Sequence, residues 1–212
     1  LPTPIIATGW RRKQKKGNYY KLTREYYNKY AKEYFEKTKD SIHIELLNSF
    51  LKLIWRDEKI LDLGCGSGNN LKFMKERGYN VIGVDNATAL IQLAKDFSNA
   101  EIYNFDIADA NSLNCLIKNM KVRHLYANAS LLHLSQKEFL NFMNTIEVEG
   151  YFFVSLKEGN GEAFDKFGRF FVYYTKEKVE KILRDRFNII YFDVTEDGMK
   201  RELNWLNWIV KL

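Results

Sequence analysis

Lys59-Ile60-Leu61-Asp62-Leu63-Gly64-Cys65-Gly66-Ser67-Gly68 runs from a short apolar segment straight into three alternating glycines. This pattern predicts a β-strand over 59–63, a tight turn, and a helix from about Asn70 to Arg77 that Gly78 ends. The same alternation repeats outward. Asn80–Asp85 reads as a strand, 87–97 as a helix, and Glu101–Phe105 and Arg123–Ala129 as a third and fourth strand. Ser135-Gln136-Lys137-Glu138 has the form of a capping box opening a helix to about Thr145, before a fifth strand over Tyr151–Leu156. Strands alternating with helices predict a parallel sheet covered on both faces.

The two ends of the chain break the alternation. From Thr23 to Trp55 apolar residues recur three or four apart, which predicts helix, interrupted near Lys37–Asp40. Asp40 or Ser41 is placed to cap a second helix through Leu53. Near the C-terminus a helix over Thr175–Asp185 leads into Asn188–Thr195, a turn signal at Asp197-Gly198, and Asn204–Leu212. Two strands joined without a helix pair antiparallel.

Composition narrows the class. The chain has 212 residues, 46% hydrophobic and 15% aromatic, enough to bury one core. No apolar run approaches the ~20 residues that cross a bilayer. A membrane partner and a signal peptide are therefore not expected, and Cys65 and Cys115 have no metal-ligand or disulfide spacing. The expected setting is reducing and cytoplasmic, with no metal site. The oligomeric state and whatever precedes Leu1, which is not a Met, stay open. The net charge of +6 is local: residues 1–40 carry 11 Lys/Arg against 4 Asp/Glu, the rest 22 against 23. A basic arm over 1–22 is expected, densest at Trp10-Arg11-Arg12-Lys13-Gln14-Lys15-Lys16. It is either a solvated terminus or, through residues 10–21, an RNA contact.

In an open parallel sheet, ligands bind beyond the C-terminal strand ends. The glycine turn at 64–68 lies at such an end, with the unpaired N–H groups of the next helix behind it. Its G-x-G-x-G spacing departs from the G-x-G-x-x-G dinucleotide fingerprint, and Asp62 would sit badly against a pyrophosphate. Asp85, 17 residues after Gly68, is placed to accept from both hydroxyls of a ribose. Asp106 or its backbone neighbour is placed to read an adenine amino group.

These residues resemble the class I methyltransferase family. Asp62–Gly68 is similar to its first motif, Asp85 to its ribose-binding acid, Phe105-Asp106 to its adenine-side acid, and the terminal hairpin to its reversed last strand. The resemblance covers roughly 23–212. It implies a Rossmann-like, seven-stranded, mostly parallel sheet with an antiparallel last strand and helices on both faces. The domain would include lid helices over 23–55 and take S-adenosylmethionine as cofactor. It also implies cofactor contacts at Asp62, Gly64, Cys65, Gly66, Gly68, Asp85, Asn86, Phe105, Asp106, Ile107, Asn128 and Ala129. A narrower likeness is to bacterial tellurite-resistance-like methyltransferases, carried by Tyr26–Thr38, Ala129–His133, Ser155–Gly159 and Gly168–Thr175. It implies that Tyr27 and Tyr34 lid the methionine end of the cofactor; the alternative is an aromatic core stripe. Glu149-Gly150 departs from the family's Pro-Gly-Gly, which puts the turn before the fifth strand in doubt.

The acceptor is open. The Pro-Pro motif of amino-methylating DNA enzymes is absent, since the strand end reads Asn128-Ala129-Ser130, and Cys115 follows Asn114 rather than a proline. Methyl transfer from a sulfonium needs alignment more than a protein base. His133 is the acid/base candidate, or else a helix-start residue with a satisfied ring nitrogen. Arg169, in the loop 159–168 region, would clamp an anionic substrate or brace the loop; Lys157 and Tyr174 are further substrate candidates. Three functions stay in view: a methyltransferase for a small-molecule or anionic acceptor, an RNA methyltransferase using the basic arm, and a non-catalytic cofactor-binding module.

Overall fold

The computed structural model describes residues 19–197 and 202–211. Five parallel strands form its centre: β1 (Lys59–Leu63), β2 (Val81–Asp85), β3 (Glu101–Asn104), β4 (Val122–Asn128) and β5 (Tyr151–Glu158), in the order β3-β2-β1-β4-β5. Every crossover in this set is helical. α4 (Asn69–Glu76) joins β1 to β2, α5 (Thr88–Ser98) joins β2 to β3, α6 (Ala110–Met120) joins β3 to β4, and α7 (Gln136–Thr145) precedes β5. The chain then forms β6 (Gly161–Phe164), β7 (Phe170–Tyr174), α8 (Lys176–Arg184), β8 (Asn188–Glu196) and β9 (Asn204–Lys211). β9 lies antiparallel between β5 and β8, so the sheet is Rossmann-like with a reversed last strand, as expected.

Side-chain alternation sorts the core into two faces. On β1, Leu61 and Leu63 face Leu113, Ile117, Phe139 and Phe142 of α6 and α7. Ile60 faces the other way, with Leu71 and Met74 of α4, Ile91 of α5, and Leu47 and Phe50 of α3 (Ile44–Leu51). Strands buried on both sides are apolar throughout, which is why β4 and β5 show little polar alternation.

Three expectations are corrected. The helix α6 between the third and fourth strands was not anticipated; Asp109 caps it through the Ser112 N–H, and Ala110, Leu113 and Ile117 turn one face inward. The segment 159–168, expected as a loop, contains β6 and the start of a β6–β7 hairpin, which brings the described strands to nine. On one side of β5, β9 pairs from Tyr151 to Lys157. On the other, β4 stops at Ser155, and β7 takes over parallel to Lys157 and Glu158. The hairpin therefore stands over the C-terminal end of β4. Finally, the N-terminal helical region is three helices, α1 (Tyr19–Lys29), α2 (Ala31–Thr38) and α3, and His43 rather than Asp40 or Ser41 holds the cap position of α3. α1 begins four residues before Thr23 because Tyr19 and Tyr20 already pack on the core.

Gly198 lies outside the described residues, so the Asp197-Gly198 turn is not described; the basic arm up to residue 18 lies outside them too. Among the described residues no helix is long and apolar enough to cross a membrane, and no cluster of His, Cys, Asp or Glu could hold a metal.

Candidate functional site

A cleft opens at the C-terminal ends of β1, β2, β3 and β4. About 670 Å³ of space lies between its walls, part of it open to solvent. Its walls are apolar where Leu90, Phe105, Ile107 and Leu134 lie, and polar where Asp85, Asn86, Asp106 and Ser130 lie.

The glycine turn forms its floor. Gly64, Gly66 and Gly68 all have positive φ. At Gly64 the requirement is double, because φ is +69° and a Cβ would lie 2.5 Å from the Ser130 Cβ. Ser130 follows Ala129, a non-glycine residue at φ 57°, so the exit of β4 is strained where it meets the turn. The Ser130 hydroxyl is buried with no protein partner while lining the cleft. The Asp62 Oδ2, beneath the turn, is also unpartnered; burial, and then the charge of Asp85, pushes the Asp62 carboxyl up to about 8.

Asp85 at the end of β2 is half-buried and organises the turn. Its Oδ2 accepts from the Gly66 N–H at 3.0 Å and its Oδ1 from the Ala87 N–H at 2.9 Å. Burial raises its pKa, and these backbone donors oppose the rise. A carboxylate offers about four acceptor sites, so acceptor capacity remains beyond the backbone donors of Gly66, Asn86 and Ala87. Asp106, just past β3, accepts the Ala108 N–H through Oδ1 at 3.0 Å.

α1 roofs the cleft and is tied down on both sides. Asn28 accepts from the Ala89 N–H at the start of α5 at 2.9 Å, while the Thr23 hydroxyl accepts from the Phe170 N–H of β7 at 3.0 Å. Tyr27 and Tyr34 meet edge to face at 4.9 Å, and both line the cleft. The Tyr27 hydroxyl lies 3.1 Å from the His133 Nε2, whose Nδ1 lies 2.6 Å from the Phe170 carbonyl. Burial lowers the His133 pKa to about 4; the Phe170 carbonyl opposes this, and the charges of Lys157 and Arg169 add to it.

The cleft thus gathers Tyr27, Tyr34, Gly64, Gly66, Asp85, Asn86, Phe105, Asp106, Ile107, Ala129 and His133 from the sequence candidates. Asp62, Cys65, Gly68 and Asn128 are not on its wall. Cys65 is buried against Gly83 of β2, and Gly68 starts α4. The substrate candidates lie elsewhere too. Arg169 is held by Asp165 through Nε at 2.8 Å and Nη2 at 2.6 Å, and its guanidinium stacks over Tyr26. Lys157 is buried, with its ammonium 3.7 Å above the Phe171 ring. Tyr174 is fully buried against Phe139. Sequence reasoning missed Tyr20, Thr23, Arg24, Leu90, Ser130 and Leu134 on the wall. Ser130 had one signal, its place two residues past the apolar run of β4.

Fold and cleft together define a class I methyltransferase fold. Residues 60–147 match the methyltransferase domain family. No curated protein sequence matches the chain. Among solved structures, the chain is similar to an S-adenosylmethionine-dependent methyltransferase from Anabaena variabilis at 14% identity, covering 90% of this chain and 93% of that one, with a TM-score of 0.73. It is also similar to 1,6-didemethyltoxoflavin-N1-methyltransferase from Burkholderia thailandensis, solved with bound 1,6-didemethyltoxoflavin and S-adenosylhomocysteine. There identity is 16%, coverage 93% and 90%, and the TM-score 0.70. TehB from Haemophilus influenzae gives 18% identity, 85% and 66% coverage, and a TM-score of 0.58, so the narrower tellurite-resistance likeness is not favoured over the others.

Proposed function

We propose that the protein is an S-adenosylmethionine-dependent methyltransferase acting on a small-molecule acceptor. The observation that carries this reading is the pairing, on one cleft, of spare acceptor capacity at Asp85 with the unpartnered Ser130 hydroxyl over the glycine turn. A ligand bearing vicinal hydroxyls on a flat apolar base and a polar tail fits that set. In this reading Asp85 and Asn86 hold the ribose, and Leu90, Phe105, Asp106 and Ile107 enclose the adenine. Gly64, Gly66, Ala129, Ser130 and Tyr34 border the methionine part. Gly68, Cys65, Asp62 and Asn128 shape the turn from behind.

The cofactor would supply an electrophilic methyl group for in-line displacement, and the chain supplies alignment and exclusion of water. The acceptor would enter between α1 and the segment after β4, past Tyr20, Thr23, Arg24 and Leu134. His133, neutral with both ring nitrogens engaged, positions rather than takes a proton. Arg169 and Lys157 support the hairpin from behind the wall, through Asp165 and Phe171. A small-molecule acceptor is supported by the mainly apolar cleft and by the 1,6-didemethyltoxoflavin bound in the Burkholderia relative. We take residues from 19 onward as one catalytic domain following a basic arm.

Isothermal titration tests the reading. S-adenosylmethionine is expected to bind, and Asp85→Ala to weaken it at least about tenfold, the loss of a charge-assisted hydrogen-bond pair. Binding of NAD instead, or an indifferent Asp85→Ala, overturns the assignment.

A further inference from the structure

Among the described residues the sheet ends laterally in three strands that pair on one side only: β3 with β2, β6 with β7, and β8 with β9. β3 and β6 are four residues long and carry Glu101 and Glu162, which leaves little free backbone for another strand to join. β8 is nine residues long and is the exception. Two hydrogen bonds tell which of its groups face outward. The Asp197 N–H, just past the strand, bonds the Leu203 carbonyl, so by alternation Phe192, Val194 and Glu196 turn their backbone groups away from β9. The Val194 N–H accordingly meets no strand and donates to the Asp193 side chain at 2.9 Å. A bulge at Ile190 ends the regular stretch, which leaves 191–196 as the usable edge. Val194 lies in this stretch and is 45% exposed. Phe192, two residues away on the same face, carries the Lys176 ammonium 4.2 Å from its ring centre.

We propose that β8 is a self-association edge, on which two copies of this chain pair antiparallel about a twofold axis through Val194. In that register Val194 meets Val194 of the second copy, Asp193 meets Thr195, and Phe192 meets Glu196. The outward pairs exchange N–H···O=C bonds, and the Val194 N–H leaves the Asp193 carboxylate for a strand carbonyl. The side chains favour a second copy over an unrelated strand. The exposed valines cover each other at the axis. The Thr195 hydroxyl, which accepts from Asn207 at 3.0 Å, still has its hydrogen to give to Asp193 of the second copy. Glu196 of one copy comes opposite Phe192 of the other, and so beside Lys176, whose own partner Glu180 is a loose 3.8 Å away. The twofold axis repeats that charge pair. Such a contact uses the same patch on both copies and closes at two. None of these residues lines the cleft.

Sedimentation of the full chain over a concentration series tests this. A reversible monomer–dimer equilibrium with a micromolar dissociation constant is expected, since so short a strand contact falls at the small end of stable interfaces. Val194→Lys, which sets two ammonium groups on the axis, is expected to weaken association at least about tenfold. Glu196→Lys should weaken it about three- to tenfold, and adding Lys176→Glu should restore it, which independent damage by the two substitutions would not do. A wild type that stays monomeric to about 0.5 mM overturns the proposal, as does growth past the dimer or a dimer indifferent to Val194→Lys. A charge swap that fails to restore association overturns the register. A second measurement needs no variant: hydrogen exchange at the Phe192, Val194 and Glu196 amides should slow as the protein is concentrated. Exchange independent of concentration overturns the proposal even where the variants fail to fold.

Discussion

His124 and His133 lie near opposite ends of β4, and they solve the same burial problem with opposite ring forms. His124, close to the N-terminal end, accepts the Tyr151 N–H on Nδ1 at 3.0 Å, so its Nε2 donates to Glu58 at 3.1 Å. Glu58 also takes the Trp55 N–H and pairs with Arg123 at 3.1 Å. Burial pushes the Glu58 carboxyl up, but the Trp55 N–H, His124 and Arg123 outweigh it, and its pKa is lowered. Both ring nitrogens of His124 and both carboxylate oxygens of Glu58 have a partner inside the protein. His133, five residues beyond the other end, bonds a carbonyl and a phenol at the wall of an open cleft. There the neighbouring Ser130 hydroxyl and Asp62 Oδ2 are left unspent. One edge of the sheet is closed on itself. The other keeps polar capacity and backbone strain that a ligand can use.

The largest effect that sharpens this contrast is expected at Gly64. Alanine there meets a φ of +69° and an overlap of 2.5 Å with Ser130. Backbone strain and overpacking together are worth about 3 kcal/mol. The turn is expected to shift, and S-adenosylmethionine affinity by titration to fall about thirty- to a hundredfold. Wild-type affinity in Gly64→Ala would break the comparison.

Gly150 is the counterpart at the closed edge. Its φ is ordinary, yet a Cβ would stand 2.5 Å from the His124 ring and 2.6 Å from the Arg123 carbonyl. The turn at Glu149-Gly150 is fixed from both sides: the Gly150 N–H bonds the Arg123 carbonyl at 2.9 Å, and the space beside it belongs to His124. Gly150→Ala is expected to lose about 2–3 kcal/mol in urea denaturation. Cofactor affinity of the folded protein should stay as in wild type; a parallel loss of affinity would mean the two edges are not independent.

The sequence was most legible where structure is local. The strand–turn–helix at 59–76, Asp85 at the end of β2 and the Ser135/Glu138 capping box all sit within a few residues of their signals, and the box is present in full. α6 was missed because Asn111, Asn114 and Asn119 mask its apolar spacing, although Asp109 offers a cap. The β6–β7 hairpin was missed because Gly159 and Gly168 read as loop, while its pairing with β5 is a tertiary matter. The cleft roof was least legible. Thr23 meets Phe170 across 147 residues and Tyr27 meets His133 across 106, distances over which periodicity carries no information. Asp165 and Arg169 are four apart, but in the turn of a hairpin that spacing implies no contact, so the bracing of Arg169 was not legible either.

Desolvation holds both histidines neutral, His124 in the interior and His133 at the cleft wall, which sets a pH dependence smaller than the glycine effects. Desolvation lowers each below 6.5, for His124 against the pull of Glu58 and for His133 down to about 4. A ring with a depressed folded pKa binds a proton less readily than in the unfolded chain. Its contribution is therefore complete above about pH 6.5 and is lost as pH falls toward the folded value. For His133 that loss reaches about 2 kcal/mol by pH 5, at ~1.4 kcal/mol per unit. Stability curves between pH 7 and 4.5 should be less steep in His133→Asn than in wild type. Equal slopes would mean that His133 takes up its proton in the folded protein as readily as in the unfolded chain, and that its desolvation has no effect.

The smallest expected effect separates charge from hydrogen bonding at the closed edge. Arg123 reaches Glu58 with its side chain 51% exposed, whereas His124 reaches the same carboxylate with 3% exposed. Solvent and salt screen the first pair, and such surface pairs contribute roughly 0–1 kcal/mol. Arg123→Ala should therefore change stability by less than about 0.5 kcal/mol, a difference that 1 M salt removes. Glu58→Gln should cost more, because an amide in place of the carboxylate weakens the bond to the buried His124 ring as well as the exposed one to the Trp55 N–H. If Arg123→Ala costs as much as Glu58→Gln, the N-terminal edge is held by an ion pair. Its stability would then be lost in salt, and the closed set around His124 would not be self-sufficient.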